Sequence, residues 1–121
     1  FGVKTLCLTE NCADPFHPKT IAASVGTIPN IDIFYYDHWK IWISETTLPI
    51  FELHPNAASM VKTRTEKEFV LICGSEGQGI QSHTLQTLHT IPIAISMTPK
   101  CNSLNAAMSV NIALFHFWAL D

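Results

Sequence analysis

The sequence contains a single arginine, Arg64, and only seven basic residues against ten acidic ones in 121. The formal net charge is therefore −3, and charged residues make up 14% of the chain. Overall electrostatics gives no support for nucleic-acid binding, so any contact with RNA must be local or come from sequence outside this chain. Hydrophobic residues make up 47% of the chain. This high hydrophobic fraction, together with the low fraction of charged residues, excludes a disordered tail and predicts a globular chain.

Long apolar runs are also missing. The most apolar stretch, 110–120, contains Asn111 and His116 and is shorter than the roughly 20 residues that a membrane-spanning helix needs. The sequence therefore predicts no membrane span. The chain begins with Phe1, and no basic segment followed by an apolar run precedes its first structured segment. We expect this start to be a cut rather than a native terminus, with residues 1–121 forming one domain around one core.

Cysteine and histidine give little sign of a metal or disulfide framework. The Val/Ile/Leu-rich surroundings of the four cysteines can build a core unaided, which favours reduced thiols and a cytoplasmic protein. No pair of histidines has a spacing that suggests a zinc site, so we predict no metal. The four cysteines are Cys7, Cys12, Cys73 and Cys101.

Strand and helix patterns alternate along the chain, which argues for an α/β fold with a mostly parallel sheet and helices on its faces. In such folds ligands bind at the carboxyl ends of the strands. The clearest strand is 69–73, which is continuously apolar. The predicted strands are 3–8, 31–35, 48–53, 69–73 and 91–97, and the predicted helices are 19–25, 38–44 with Asp37 as its cap, 80–88 and 103–120.

A glycine-rich loop, Gly74-Ser75-Glu76-Gly77-Gln78-Gly79, lies directly after the apolar strand. Glycine allows positive φ and lets the backbone approach a ligand closely. The loop lacks the Lys-Ser/Thr pair of a P-loop and the spacing of the dinucleotide fingerprint. It indicates either a ligand-binding loop or a tight connection.

The start of the last predicted helix is the second segment of interest. Ser103 or Asn102 can cap this helix, and its free N–H groups with the positive end of the helix dipole would suit a carboxylate. A plain helix cap is the alternative. The helix itself is too apolar for a free surface helix, so we predict that it packs in a homodimer interface.

These segments together resemble the SpoU branch of the SPOUT superfamily. Residues 69–76 with Gly79 are similar to its second motif, and Ile95-Ser96-Met97, followed after five residues by Ser103-Leu104-Asn105, is similar to its third. Other segments resemble the stretch between the family's first and second motifs, namely Phe1-Gly2-Val3, Ala13-Asp14-Pro15, Pro18-Lys19 and Ala23-Ser24-Val25-Gly26.

The resemblance implies an S-adenosylmethionine-dependent methyltransferase that modifies a ribose 2′-hydroxyl of tRNA or rRNA. It also implies an α/β fold with a C-terminal trefoil knot, and a dimer whose cofactor and RNA sites form near the interface. The positions that match cofactor-contacting residues of the family are Gly74, Ile95, Leu104 and, close by, Met97. Those that match its polar active-site residues are Glu76, Ser103 and Asn105.

The chain departs from the family pattern in three places. Ser96 stands where the family usually has proline, and Ala22 where arginine is common. The family's first motif, whose arginine is thought to assist deprotonation of the ribose hydroxyl, is absent, and Arg64 lies in the wrong segment to replace it. We therefore expect this chain to bind cofactor better than it catalyses.

Two alternatives stay open. One is a non-catalytic dimeric RNA- or ligand-binding protein of the same fold, and the other is an unrelated flavodoxin-like ligand-binding domain. The basic residues Lys62, Arg64 and Lys67 indicate either a solvated loop, because Glu66 and Glu68 lie among them, or a contact with RNA phosphates.

Overall fold

The computed structural model describes residues 1–9, 12–65, 68–75, 79–80, 88–101 and 103–120, with residues 36–40 described by their backbone. The chain forms two compact units, Gly2–Thr46 and Thr47–Asp121, the second of which includes Phe1. The strands are β1 (Thr5–Leu8), β2 (Asp32–Tyr35), β3 (Ile50–Ser59), β4 (Val70–Ile72) and β5 (Ile91–Ala94). The helices are α1 (Pro18–Ala23), α2 (Tyr36–Glu45) and α3 (Ala106–Trp118), with 3₁₀ turns at Ile28–Asn30 and Met60–Lys62.

In the first unit, β1 and β2 pair in parallel from Thr5↔Asp32 to Leu8↔Tyr35. The connection between them contains α1, whose N-cap is His17; the imidazole accepts a hydrogen bond from Lys19 N. Pro18 occupies the first turn, where its missing N–H costs nothing. The helix predicted at 19–25 is confirmed, although it ends at Ala23, ahead of Gly26 with its positive φ of 77°.

Helix α2 begins one residue after β2 ends, and the prediction that Asp37 caps it was wrong. Its N-cap is Tyr35, which has extended backbone and makes no capping hydrogen bond through its side chain. Because the strand runs straight into the helix, no turn separates them, and Asp37 already lies in the first helical turn.

In the second unit, three parallel strands are ordered β4-β3-β5. Strand β3 is longer than predicted, because it continues past Leu53 to Ser59. Its pairing with β5 shifts on the way, since Leu53 and Ala58 both align with Ile93. Pro55 lies between them and has no N–H to give to a ladder. We call residues 54–57 the β3 bulge.

The core of this unit lies between β3, β5 and α3. Phe51 and Ile93 are almost fully buried, and Ala113 has no exposed surface. The Phe117 ring lies 4.8 Å from the ring centroids of both Phe51 and Phe69. Aromatic contacts of this kind add about 0.5–1.5 kcal/mol to the free energy from burial. They fix α3 against the sheet and therefore fix where the helix begins.

The parallel pairing confirms the predicted α/β class, with parallel sheets flanked by helices. The predicted strand 91–97 is paired only as far as Ala94, and the helix predicted at 103–120 begins at Ala106. The helix predicted at 80–88 falls for the most part outside the described residues. In the parts of the chain that the structure describes, no helix has both the length and the apolar character needed to cross a membrane.

Candidate functional site

The carboxyl edge of the three-stranded sheet brings together the segments that the sequence singled out. Strand β4 leads into Gly74 and β5 leads into Ile95 at this edge, where parallel α/β sheets bind their ligands. The beginning of α3 lies at the same place, because the Cys73 thiol donates to the carbonyl oxygen of Ala106 at 4.0 Å.

The glycine loop is closed at its base by its own backbone. Ser75 N donates to Gly79 O at 3.3 Å, and Gly79 N donates to Ser75 O at 3.0 Å. A Cβ at Gly74 would lie 2.6 Å from Gly79 O and 2.5 Å from Ile80 N, so no side chain fits there. Glycine at position 74 is thus required by the loop itself. Glu76, which was predicted to belong to the active site, lies outside the described residues.

A groove of about 450 Å³ lies at this carboxyl edge, and it contains Ile95 and Met97, two of the predicted cofactor contacts. One wall is the β3 bulge with Ser59, and the other is the segment that follows β5. We call it the carboxyl-edge groove. Its lining residues are Pro55, Asn56, Ala57, Ser59, Ala94, Ile95, Ser96, Met97, Thr98, Pro99 and Cys101.

Two serine hydroxyls join the walls of this groove. Ser59 Oγ and Ser96 Oγ are 2.6 Å apart, a short hydrogen bond between residues 37 positions apart in the chain. Sequence reasoning missed both residues as contributors to the site. The departure from proline at Ser96 was the available signal, whereas Ser59 gave none, because its position follows from the register shift in β3.

The beginning of α3 differs from the prediction. Asn105 is the N-cap, and its Oδ1 accepts hydrogen bonds from Ala107 N at 3.0 Å and Met108 N at 3.2 Å. Ser103, one of the two caps that the sequence suggested, is not the cap, because the helix starts three residues later than predicted. Asn102 lies outside the described residues. Since Asn105 already occupies two N–H groups, the helix end offers a carboxylate fewer donors than expected.

Ser103 and Leu104 lie between the carboxyl-edge groove and α3. The Cys101 thiol, on the groove, donates to the carbonyl oxygen of Ser103 at 3.4 Å. Both Ser103 and Leu104 are exposed, the latter by 37%. Among the described residues, the predicted site positions lie at or next to one edge of the sheet, and Ile95 and Met97 line the groove.

A second groove, of about 850 Å³, lies at the opposite, amino edge of the same sheet, lined by residues that include Pro49, Arg64 and Ile91. The Arg64 guanidinium donates to Val61 O at 3.3 Å and to Thr63 O at 3.4 Å. Within this unit, Arg64 thus lies at the opposite edge of the sheet from Ile95 and Met97.

Charge and redox chemistry are sparse at the site. All four cysteines are free thiols, and partial burial raises the pKa of Cys73 and of Cys7 above the usual value of a thiol. Cys73 is therefore a weaker nucleophile at neutral pH than a fully solvated thiol. Among the described residues, no three His, Cys, Asp or Glu side chains are grouped closely enough to hold a metal ion.

Residues 1–115 match the model of the SpoU rRNA Methylase family. A tRNA/rRNA methyltransferase from Synechocystis sp., described as uncharacterized, is 29% identical over 118 residues, which cover 94% of this chain and 43% of that protein. Ribosomal RNA small subunit methyltransferase G 2 from Syntrophobacter fumaroxidans is also 29% identical, over 95% of this chain and 22% of its own length.

Solved structures agree in fold. The AdoMet-bound rRNA methyltransferase from Sinorhizobium meliloti superposes with a TM-score of 0.83 at 22% identity, over 95% of this chain and 45% of that one. The SpoU methyltransferase AviRb from Streptomyces viridochromogenes in complex with AdoMet superposes with a TM-score of 0.79 at 22% identity. The match covers 95% of this chain and 49% of that one. The chain thus spans less than half the length of these relatives. By its match over residues 1–115, it belongs to the SpoU rRNA methylase family.

Proposed function

We propose that this protein takes part in methyl transfer from S-adenosylmethionine to a ribose 2′-hydroxyl of tRNA or rRNA. The observation that carries the proposal is the coincidence of two results. The family match covers residues 1–115, and the carboxyl-edge groove contains Ile95 and Met97, at positions that match the family's cofactor contacts. Two structures of the same fold, from Sinorhizobium meliloti and Streptomyces viridochromogenes, are described as binding this cofactor.

The size and chemistry of the carboxyl-edge groove support this proposal. Its volume of about 450 Å³ lies within the range of small-ligand pockets, which is about 300–1,000 Å³. Ile95 and Met97 offer apolar surface for an adenosine group, and the backbone beyond Ala94, the last residue of β5, offers N–H and carbonyl groups. We propose that Gly74 and Leu104 complete the binding site from the glycine loop and the segment before α3.

S-adenosylmethionine held by Gly74, Ile95, Met97 and Leu104 would supply an electrophilic methyl group on a sulfonium. The ribose oxygen would bond to the methyl carbon, the sulfur would keep the electron pair of the broken bond as S-adenosylhomocysteine, and the hydroxyl proton would pass to a base or to water. The protein must therefore align the acceptor oxygen and remove its proton. We propose that Glu76, Ser103 and Asn105 hold this geometry.

We further propose a homodimer through α3 and a trefoil knot in the C-terminal part, with a cytoplasmic location that suits four free thiols. Met108, Phe115 and Trp118 on α3 are each more than half exposed, a large apolar area for one helix. Replacing Trp118 by Glu should convert the dimer to a monomer in light scattering at micromolar concentration. Ile41→Glu, at an apolar position of α2 that is 62% exposed, is the matched control.

The experiment that tests cofactor binding is calorimetric titration with S-adenosylhomocysteine. Gly74→Trp is unsuitable as a blocking variant, because any side chain there collides with the loop backbone. Thr98 is exposed and lines the carboxyl-edge groove, so Thr98→Trp should fill the groove and abolish binding. The matched control is Thr47→Trp, which fills the amino-edge groove instead and should bind like wild type.

Equal affinity of wild type and Thr98→Trp would refute the site, and the absence of binding to wild type would refute the proposed cofactor. Methyl transfer itself is measured by incorporation of labelled methyl groups from S-adenosylmethionine into tRNA and into rRNA. A ribose 2′-O-methyl product in nuclease digests distinguishes this reaction from base methylation.

A further inference from the structure

The Ser59–Ser96 hydrogen bond is a constraint on the carboxyl-edge groove that the family likeness does not account for. Ser96 lies between Ile95 and Met97, in the wall that follows β5, and Ser59 lies at the end of the opposite wall. The 2.6 Å contact between their hydroxyls is a direct side-chain link between the two walls. It ties Ser96 to β3 two residues beyond Ala94, which pairs with Ser59 at the end of the β3–β5 ladder.

Ser59 is itself held in place. Its Oγ accepts a hydrogen bond from Val61 N at 3.4 Å and caps the 3₁₀ turn Met60–Lys62. Met60, the first residue of that turn, is buried in the core with Ile93. Ser59 is thus anchored to the core. The hydrogen bond between the two hydroxyls then holds Ser96 in place relative to Ser59.

The backbone at Ser96 needs such support. Strand pairing stops at Ala94, so Ile95, Ser96 and Met97 have no ladder to fix their dihedral angles. A proline at position 96 would lock φ near −65° by itself. Serine has no such ring, and here the hydrogen bond between the Ser96 hydroxyl and Ser59 of β3 restrains the backbone instead.

We propose that Ser96, held by Ser59, is a positioning residue that fixes the Ile95–Met97 backbone for S-adenosylmethionine. This inference rests on the proposed function. The pair acts on the shape of the groove and does not touch the reacting atoms.

The test is the affinity for S-adenosylhomocysteine of Ser96→Ala, Ser59→Ala and the double variant, measured at a temperature at which circular dichroism finds each one folded. Each single change should weaken binding by roughly 3- to 10-fold, as expected for the loss of one hydrogen bond. The double variant should be no weaker than either single one, because both remove the same contact.

Ser96→Pro separates positioning from direct contact. It removes the hydroxyl but restores the restraint on φ, so its affinity should return to within about twofold of wild type. A Ser96→Pro protein as weak as Ser96→Ala would mean that the hydroxyl contacts the ligand, which overturns the inference. Equal affinity of wild type, Ser59→Ala and Ser96→Ala would also overturn it.

Ser44→Ala is the matched control, because the Ser44 hydroxyl makes a hydrogen bond of 2.8 Å to the Ile41 carbonyl in the other unit of the chain. Its affinity should equal that of wild type. Failure of the wild-type protein to bind S-adenosylhomocysteine at all would instead refute the proposed function, so the two failures are distinguishable.

Discussion

At the scale of single residues, Gly74 is a position where the loop leaves no room for a side chain. The Ser75–Gly79 backbone pair holds the opposite side of the loop against it. Gly74→Ala forces a Cβ into the backbone of Gly79 and Ile80, where no flexible side chain can yield. We expect a loss of about 1–3 kcal/mol in the free energy of unfolding by urea, as for other overpacked sites, together with loss of cofactor binding.

Gly26→Ala is the control for this change. Gly26 has a positive φ of 77° but open space around its Cα, so alanine there introduces backbone strain without a collision. It should cost about 1 kcal/mol or slightly more and leave cofactor binding unchanged. Stability losses of equal size in both variants, with binding retained in both, would contradict the account of Gly74.

Cys73 connects the end of β4 to the beginning of α3, and its ionisation should report that contact. Burial disfavours the thiolate and raises the pKa of Cys73. The thiol form, and the stability linked to it, is fully present below the pKa of an unfolded cysteine and is lost as pH rises through the higher folded value. We therefore expect alkylation of Cys73 by iodoacetamide to increase at a higher pH in the folded protein than in urea. The extent of alkylation is measured by peptide mass spectrometry from pH 7 to pH 10.

The reference in that experiment is the same cysteine in the unfolded chain, so differences between peptides cancel. Cys7, whose pKa is also raised by burial, should shift in the same direction. Coincident profiles in folded and unfolded protein would show that the β4–α3 contact does not bury the thiol.

At the scale of elements, the beginning of α3 combines a structural and a proposed chemical role in Asn105. Its Oδ1 caps two backbone N–H groups, so Asn105→Ala should lower the unfolding free energy by about 1 kcal/mol. Asn105→Asp keeps an acceptor at the cap and adds a negative charge that the helix dipole favours. It should therefore retain the stability of wild type in urea unfolding.

The two variants distinguish the roles of Asn105. If the amide serves only as a cap, Asn105→Asp retains methyl transfer as well as stability. If the amide also holds the active geometry, as we propose, Asn105→Asp is stable but loses methyl transfer. An unstable Asn105→Asp protein would contradict the observed cap.

The strands were predictable because their hydrophobic patterns are local, and the five predicted strands all occur. What could not be predicted is set by pairing between strands. The shift that aligns both Leu53 and Ala58 with Ile93 depends on how β3 meets β5, and it alone brings Ser59 within reach of Ser96. The N-cap was misplaced for a related reason, because Ser103 and Asn105 have similar capping propensities and tertiary packing decides between them.

The candidate site likewise contains one part that the sequence predicted and one part that it did not. Ile95 and Met97 were predicted and do line the groove, since a segment that follows a parallel strand reaches the carboxyl edge whatever the details of packing. The opposite wall includes the β3 bulge, which contains Pro55 and lies beyond Leu53, the predicted end of the strand. The predicted contact of Gly74 with the cofactor stays a prediction, and the structure adds that Gly79 packs where a side chain of residue 74 would lie.

At the scale of the whole molecule, the chain has a net charge of −3, so binding of the proposed RNA substrate would depend on the few basic residues near the candidate site. Lys100 is exposed between Pro99 and Cys101, which both line the carboxyl-edge groove. Arg64 lies at the amino edge of the sheet. Under the proposed function, we expect the phosphates that flank a ribose in the carboxyl-edge groove to lie closer to Lys100 than to Arg64.

Charge reversal at these two positions should therefore differ in effect. Lys100→Glu should weaken tRNA or rRNA binding, measured by fluorescence anisotropy, by at least about fivefold at low salt, since a single charge contact of about 4 Å in water contributes about 1 kcal/mol. The effect should shrink as salt is raised from 50 to 200 mM, because such contacts are screened. Arg64→Glu changes the net charge by the same amount, so equal losses in both variants would mean that RNA senses only the overall charge and does not dock at the carboxyl-edge groove.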